Sequence, residues 1–231
     1  MTDVEKGNAP AGASHAANNG PGQLWDPSRS YAVRQPSRIA NPGALGLFSF
    51  ASTTLLLSFI NVQTRGVTEP NVVVGMAIFV GGLAQLLAGM WEFPRGNVFG
   101  CTAFTSYGAF WMSYATILIP SSGILTAYTN PDDLSNALGL YLIIWFIFTT
   151  LLLFGAIRRN ISFCLLLGFL SLTFLLLACG EFTGKVKVTK AGGGFGIVTA
   201  IVAYYCAVSE LMILEESYFT LPLGSIRKRS E

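Results

Sequence analysis

The chain holds 231 residues, of which 52% are hydrophobic and only 11% charged, with a formal net charge of +2. That balance excludes an ordinary soluble globular domain. The small net charge, with no continuous basic stripe, also excludes a nucleic-acid partner.

Residues 1–40 are polar and rich in Gly, Ala, Pro, Asn and Ser, with no apolar core of a secretory signal, and read as a disordered cytoplasmic tail. The single histidine, His15, falls there, which leaves no histidine for a proton relay or a metal within the apolar part. The four cysteines, Cys101, Cys164, Cys179 and Cys206, lie inside apolar runs without CxxC spacing and read as small buried hydrophobes. No metal or cofactor is expected.

After the tail come six apolar stretches, 44–61, 72–90, 99–119, 135–155, 162–179 and 193–214. A hydrocarbon core about 30 Å thick needs roughly 20 such residues per helix, so the fold class is an all-α membrane protein with six transmembrane helices. An even number of spans places both termini on one side. Ten of the fourteen Lys and Arg fall on that side, in the tail, at Arg95, at Arg158 and Arg159, and at the C-terminus. The positive-inside rule then predicts cytoplasmic termini. Arg65, Lys185, Lys187 and Lys190 are left on the other side.

Local signals mark two of the helix starts. Asn41 is placed to cap the first helix with Pro42 at its first position, and Asn97 to cap the third. Both positive dipole ends would favour an approaching anion, with ordinary capping as the alternative.

The first span carries Phe50, Thr53, Thr54, Leu57 and Asn61 on one helical stripe of mixed apolar and hydrogen-bonding character. In the second, Gln85 sits between Gly81 and Gly89, one turn away on each side. An amide in hydrocarbon needs a partner, so Gln85 either joins two helices or meets a small solute. The third span carries Phe99, Ala103, Tyr107 and Trp111 on one stripe and Thr102 and Ser106 beside it, a pattern that serves packing or a narrow amphipathic conduit. Glu92, Glu181 and Glu210 fall near helix ends and read as solvated interfacial carboxylates, with proton coupling as the alternative at Glu92. No GxxxxGK[ST], HExxH or GxSxG occurs, so the parts of an ATP-driven pump or a membrane hydrolase are lacking and no enzyme is expected.

The run Asn41-Pro42-Gly43-Ala44-Leu45-Gly46-Leu47 resembles the NPAPLGL signature of the acetate uptake transporter family, departing from it at Gly43 and Ala44. Gly82, Gln85, Ala88, Gly89, Glu92, Gly96, Asn97, Phe99, Gly100, Thr102, Phe104, Ser106, Tyr107, Gly108, Phe110 and Trp111 are similar in order and spacing to the family's second and third helices. The resemblance extends over 41–223 and leaves 1–40 and 224–231 as tails. It implies six helices around a pore in each protomer and assembly as a homo-hexamer. It also implies a hydrophobic constriction at Phe50, Tyr107 and Leu172. The expected function is transport of acetate and similar small monocarboxylates across the plasma membrane, by a channel-like or proton-coupled route. Thr53, Thr54, Gln85, Ser106, Asn41 and Asn97 are the expected contacts of the carboxylate. Ammonia or ammonium export, and acetate sensing without transport, are the alternatives.

Overall fold

A computed structural model of the chain describes residues 39–212 and 217–226. The expected N-terminal tail, except for Ile39 and Ala40, lies outside the described residues, as do 213–216 and 227–231. Among the described residues the structure is helical, and its one β-type pairing is an isolated bridge between Asn160 and Ser225.

Helix α1 (Gly43–Asn61) starts where Asn41 Oδ1 accepts the Gly43 amide at 3.0 Å. Pro42, expected at the first helical position, stands in the cap position instead. The second span, Pro70–Glu92, is continuous but not uniform. Its α2 (Val73–Ile78) and α3 (Gln85–Glu92) are joined by a π-helical segment, Phe79–Ala84. The π segment rests on Gly82, because a Cβ there would collide with the carbonyl oxygen of Ala77 five residues earlier. Helix α4 (Val98–Leu118) opens on Asn97, whose Oδ1 accepts the Gly100 amide at 3.2 Å, as the sequence predicts.

Helix α5 (Pro131–Ala156) is capped by Asn130 with Pro131 in its first turn. Helix α6 is Ile161–Thr183 and α7 is Val186–Leu211. The start of α7 precedes the expected one by seven residues, since the stretch with Lys187 and Lys190 is helical rather than a loop. No proline interrupts it, and lysine is a good helix former.

Five of the six spans are long and apolar enough to cross a bilayer on those grounds alone. The sixth, α4, is uncharged and 21 residues long, but Thr, Ser, Tyr, Trp and Gly dilute its apolar content. It can be less apolar because much of it is buried by protein: Phe104, Tyr107, Phe110 and Trp111 all belong to the core. Helix α1 packs on α7 and α3, α7 on α6, α6 on α5, and α3 on α4.

A short C-terminal strap closes the face on which α1 begins and α7 ends. The amides of Ile161 and Ser162 donate to the carbonyls of Gly224 (2.9 Å) and Leu223 (3.2 Å). Phe163 donates to Asn160 Oδ1, and Cys164 to the Asn160 carbonyl. All four first-turn amides of α6 are thereby satisfied. Tyr205 and Ser209 of α7 donate to the carbonyls of Pro222 and Leu221 and hold the strap from its other side. The expected boundary between domain and tail at 223/224 falls inside this strap.

Candidate functional site: two cavities and a septum

The stripe read on α1 faces into the helix bundle, and Phe50 is its pivot. Toward the face opposite the termini, Phe50, Thr54, Leu57, Ser58 and Asn61 of α1 line a cavity of about 120 Å³. Phe110, Trp111 and Tyr114 of α4 and Leu170, Phe174 and Glu181 of α6 close it. Toward the terminal face, a cavity of about 30 Å³ is lined by Leu47, Phe50, Gln85, Phe99, Tyr107 and Leu166, among others. Phe50 is the residue common to both cavities. Its ring meets that of Tyr107 with centroids 5.6 Å apart, within the range of favourable aromatic pairs. Tyr107 is fixed in turn by a 2.9 Å hydrogen bond to Thr149 and by the rings of Trp145 and Phe148. Phe50, set against Tyr107, stands as an apolar septum where the two cavities meet.

Both cavities have lining residues with unpartnered polar atoms: Thr54 Oγ1 and Trp111 Nε1 at the larger, the Gln85 amide at the smaller. Thr53, Thr150, Thr173 and Thr199 all turn their hydroxyls back to the carbonyl four residues earlier. Thr54, only 5% exposed, does not: its Oγ1 is buried, unpartnered, and belongs to the lining of the larger cavity. Gln85, 1% exposed, lines the smaller cavity with Oε1 unpartnered. Buried polar groups are seldom left in this state without a function.

The remaining expected site residues lie elsewhere. Thr53 is fully buried against Gly81, with its hydroxyl spent on the Ser49 carbonyl at 3.0 Å, and lines neither cavity. Ser106 is half-buried on α4 and also lines neither. Leu172 is 41% exposed on the outer face of α6, so the structure does not bring it to Phe50 and Tyr107. Two residues along a helix turn a side chain by about 200°, and it is Leu170, buried on the opposite face, that lines the larger cavity.

Asn41, Asn97 and Glu92 gather at the terminal face. Glu92 is not the solvated carboxylate the sequence suggested: it is 1% exposed and ion-paired with Arg95 Nη1 at 3.4 Å. Arg95 also donates to Asn41 Oδ1, and Asn41 Nδ2 donates to Glu210. The carboxyl of Glu92 lies beside both Gly43 and Gly100, between the positive ends of α1 and α4. These contacts tie four helix ends together. Asn97 serves its helix through the Gly100 amide.

Sequence reasoning passed over Thr149 and Leu170, and gave Glu181 a different place. Nothing local distinguishes Thr149 or Leu170 from other residues of apolar spans. Glu181 was seen, but as an interfacial carboxylate; it is half-buried and is the one charged side chain among the described residues lining either cavity.

A membrane-spanning chain, helical among the described residues, with two internal cavities that meet at an aromatic septum has the architecture of a small-solute conduit. The chain belongs to the GPR1/FUN34/yaaH family, whose sequence pattern it matches over residues 23–228. It is 50% identical to Accumulation of dyads protein 2 of Saccharomyces cerevisiae, over 78% of this chain and 64% of that one. The chain thus spans just under two thirds of that relative's length. It is 44% identical to Acetate permease A of Emericella nidulans, over 84% of this chain and 69% of the relative. Among solved structures it is similar to the bacterial acetate channel SatP, with a TM-score of 0.71 and 35% identity, over 81% of this chain and all of that one.

Proposed function

We propose that this protein moves acetate and similar small monocarboxylates, together with protons, across the plasma membrane, as a homo-hexamer with both termini in the cytosol. It performs no covalent chemistry on its solute. The observation that carries this reading is the pair of cavities that meet at Phe50, beside Tyr107, each with unpartnered polar atoms among its mostly apolar lining residues. Acetate has one methyl and one carboxyl group, and such a path offers a match for each. The names of Acetate permease A and of the acetate channel SatP agree with it. The constriction comprises Phe50, Tyr107 and Leu170, with Leu170 taking the part expected of Leu172. Thr54 and Gln85 are the solute contacts, while Asn41, Asn97 and Glu92 hold the helix ends at the terminal face.

Purified protein in liposomes with labelled acetate provides the test. Uptake above that of protein-free vesicles, increased by an acid-outside pH gradient, is expected. Uptake equal to protein-free vesicles would sink the reading and leave sensing as the alternative. Ammonium export remains the second reading because Glu181 lines the larger cavity, where a carboxylate suits a cation. Labelled methylammonium in the same vesicles separates the two.

A further inference from the structure

We propose that the form of the solute that crosses the Phe50–Tyr107 septum is the neutral, protonated acid, paired through its carboxyl group with the amide of Gln85. This rests on the transport reading above and specifies the species transported.

Gln85 is 1% exposed and neither atom of its amide has a hydrogen-bond partner, which leaves an acceptor, Oε1, and a donor, Nε2, both unpaired. A carboxylate is purely an acceptor and can use only the amide N–H, whereas a carboxylic acid carries a donor as well as an acceptor and can match both atoms of the amide. The other polar group of this cavity, the Tyr107 hydroxyl, is occupied with Thr149 at 2.9 Å. A cavity of about 30 Å³ holds on the order of two waters, so a solute entering it leaves its hydration shell behind. Among the described residues no charged side chain lines that cavity. An unhydrated carboxylate with no cation beside it is strongly disfavoured, whereas a neutral acid loses far less. The amide N–H gives an anion one donor and no compensating charge.

The larger cavity points the same way. Thr54 Oγ1–H and Trp111 Nε1–H, both unpartnered, can donate to either form, while the one charged lining residue among the described residues is Glu181, which repels an anion and is indifferent to a neutral acid. The candidate proton carrier named by the sequence, Glu92, lines neither cavity and is held by Arg95. The proton therefore travels on the solute, acquired in bulk water on one side and released on the other.

Neutral-acid passage and joint movement of an anion and a proton have the same net balance, so the test uses solutes that cannot change charge. Acetamide is neutral, planar, of the same heavy-atom count as acetic acid, and carries a donor. Nitrate is planar, equally small and permanently anionic. In liposomes holding the full chain, acetamide should enter faster than into protein-free vesicles and should compete with labelled acetate, while nitrate should enter no faster than without protein. Gln85→Leu, normalised to assembled protein, should lower acetate and acetamide uptake together by about tenfold. Should that variant fail to assemble, the comparison of the two solutes on the unmodified protein decides alone. Acetate uptake without acetamide uptake or competition overturns the proposal and leaves the transport reading standing. So does nitrate uptake at a rate comparable to acetate. Absence of acetate uptake removes the transport reading itself, and this proposal with it.

Discussion

Thr53 and Thr54 are neighbours on α1, both are buried, and only one has a hydroxyl free to meet a solute. Replacing Thr54 with Val removes that hydroxyl and keeps the shape, so acetate flux per assembled protein should fall several-fold with little change in thermal stability. Thr53→Val gives up only a bond to its own helix, worth about 1 kcal/mol or less, and should leave flux near the parental value. Equal effects of the two on flux would contradict the assignment. The leucines of α6 make a second pair. Leu170→Ala widens the larger cavity next to Phe50 and should raise uptake of lactate relative to acetate in competition assays, whereas Leu172→Ala on the outer face should not change the preference order. Helical spacing in the sequence put both threonines on the Phe50 stripe, because residues three and four along are equally close to it. Which of the two faces a gap depends on where the π segment and α4 lie, and that is a long-range fact. Leu172 came from position within a family pattern, and a two-residue displacement on a helix moves a side chain to the other side.

The spans themselves were legible because length and apolarity are local properties. The capping by Asn97 was legible for the same reason. What stayed hidden were departures from regularity that only packing stabilises: the π segment of the second span, and the helical turns around Lys187 and Lys190 at the start of α7. Close approach of α3 and α4 belongs to the same class. A Cβ on Gly89 would stand 2.5 Å from the backbone nitrogen of Thr105, and a backbone atom cannot swing aside. Gly89→Ala should therefore push these helices apart at a cost of about 1–3 kcal/mol, read as a lower melting temperature in detergent. At Gly194, within α7, a Cβ would meet nothing within 4 Å. Gly194→Ala should leave stability unchanged or raise it by up to about 1 kcal/mol, through the better helix propensity of alanine. Similar melting temperatures for the two variants would show that α3 and α4 are not in such contact.

Across the whole molecule, one path and one brace stand out. The path was half visible in the sequence: its aromatic septum and amide were nominated, but the division into a larger and a smaller cavity follows from how α1, α4 and α6 meet. The brace, the strap at 221–225, was not visible, because its hydrogen bonds use backbone groups and carry no side-chain signature. A chain ending after Thr220 should assemble with a lower melting temperature, since the amides of Ile161 and Ser162 lose their protein partners at about 0.5–1.5 kcal/mol each. A melting temperature equal to that of the full chain would deny the strap this role. The strap also imposes an order on biosynthesis. Ser162 and Leu223 are 61 positions apart, so at a ribosomal pace of about 5–20 residues per second the first turn of α6 exists for roughly 3–12 seconds before its acceptors have been made. During that interval only water can serve those amides, so the newly synthesised helix must keep this end at the wetted surface of the bilayer until translation has delivered its cap.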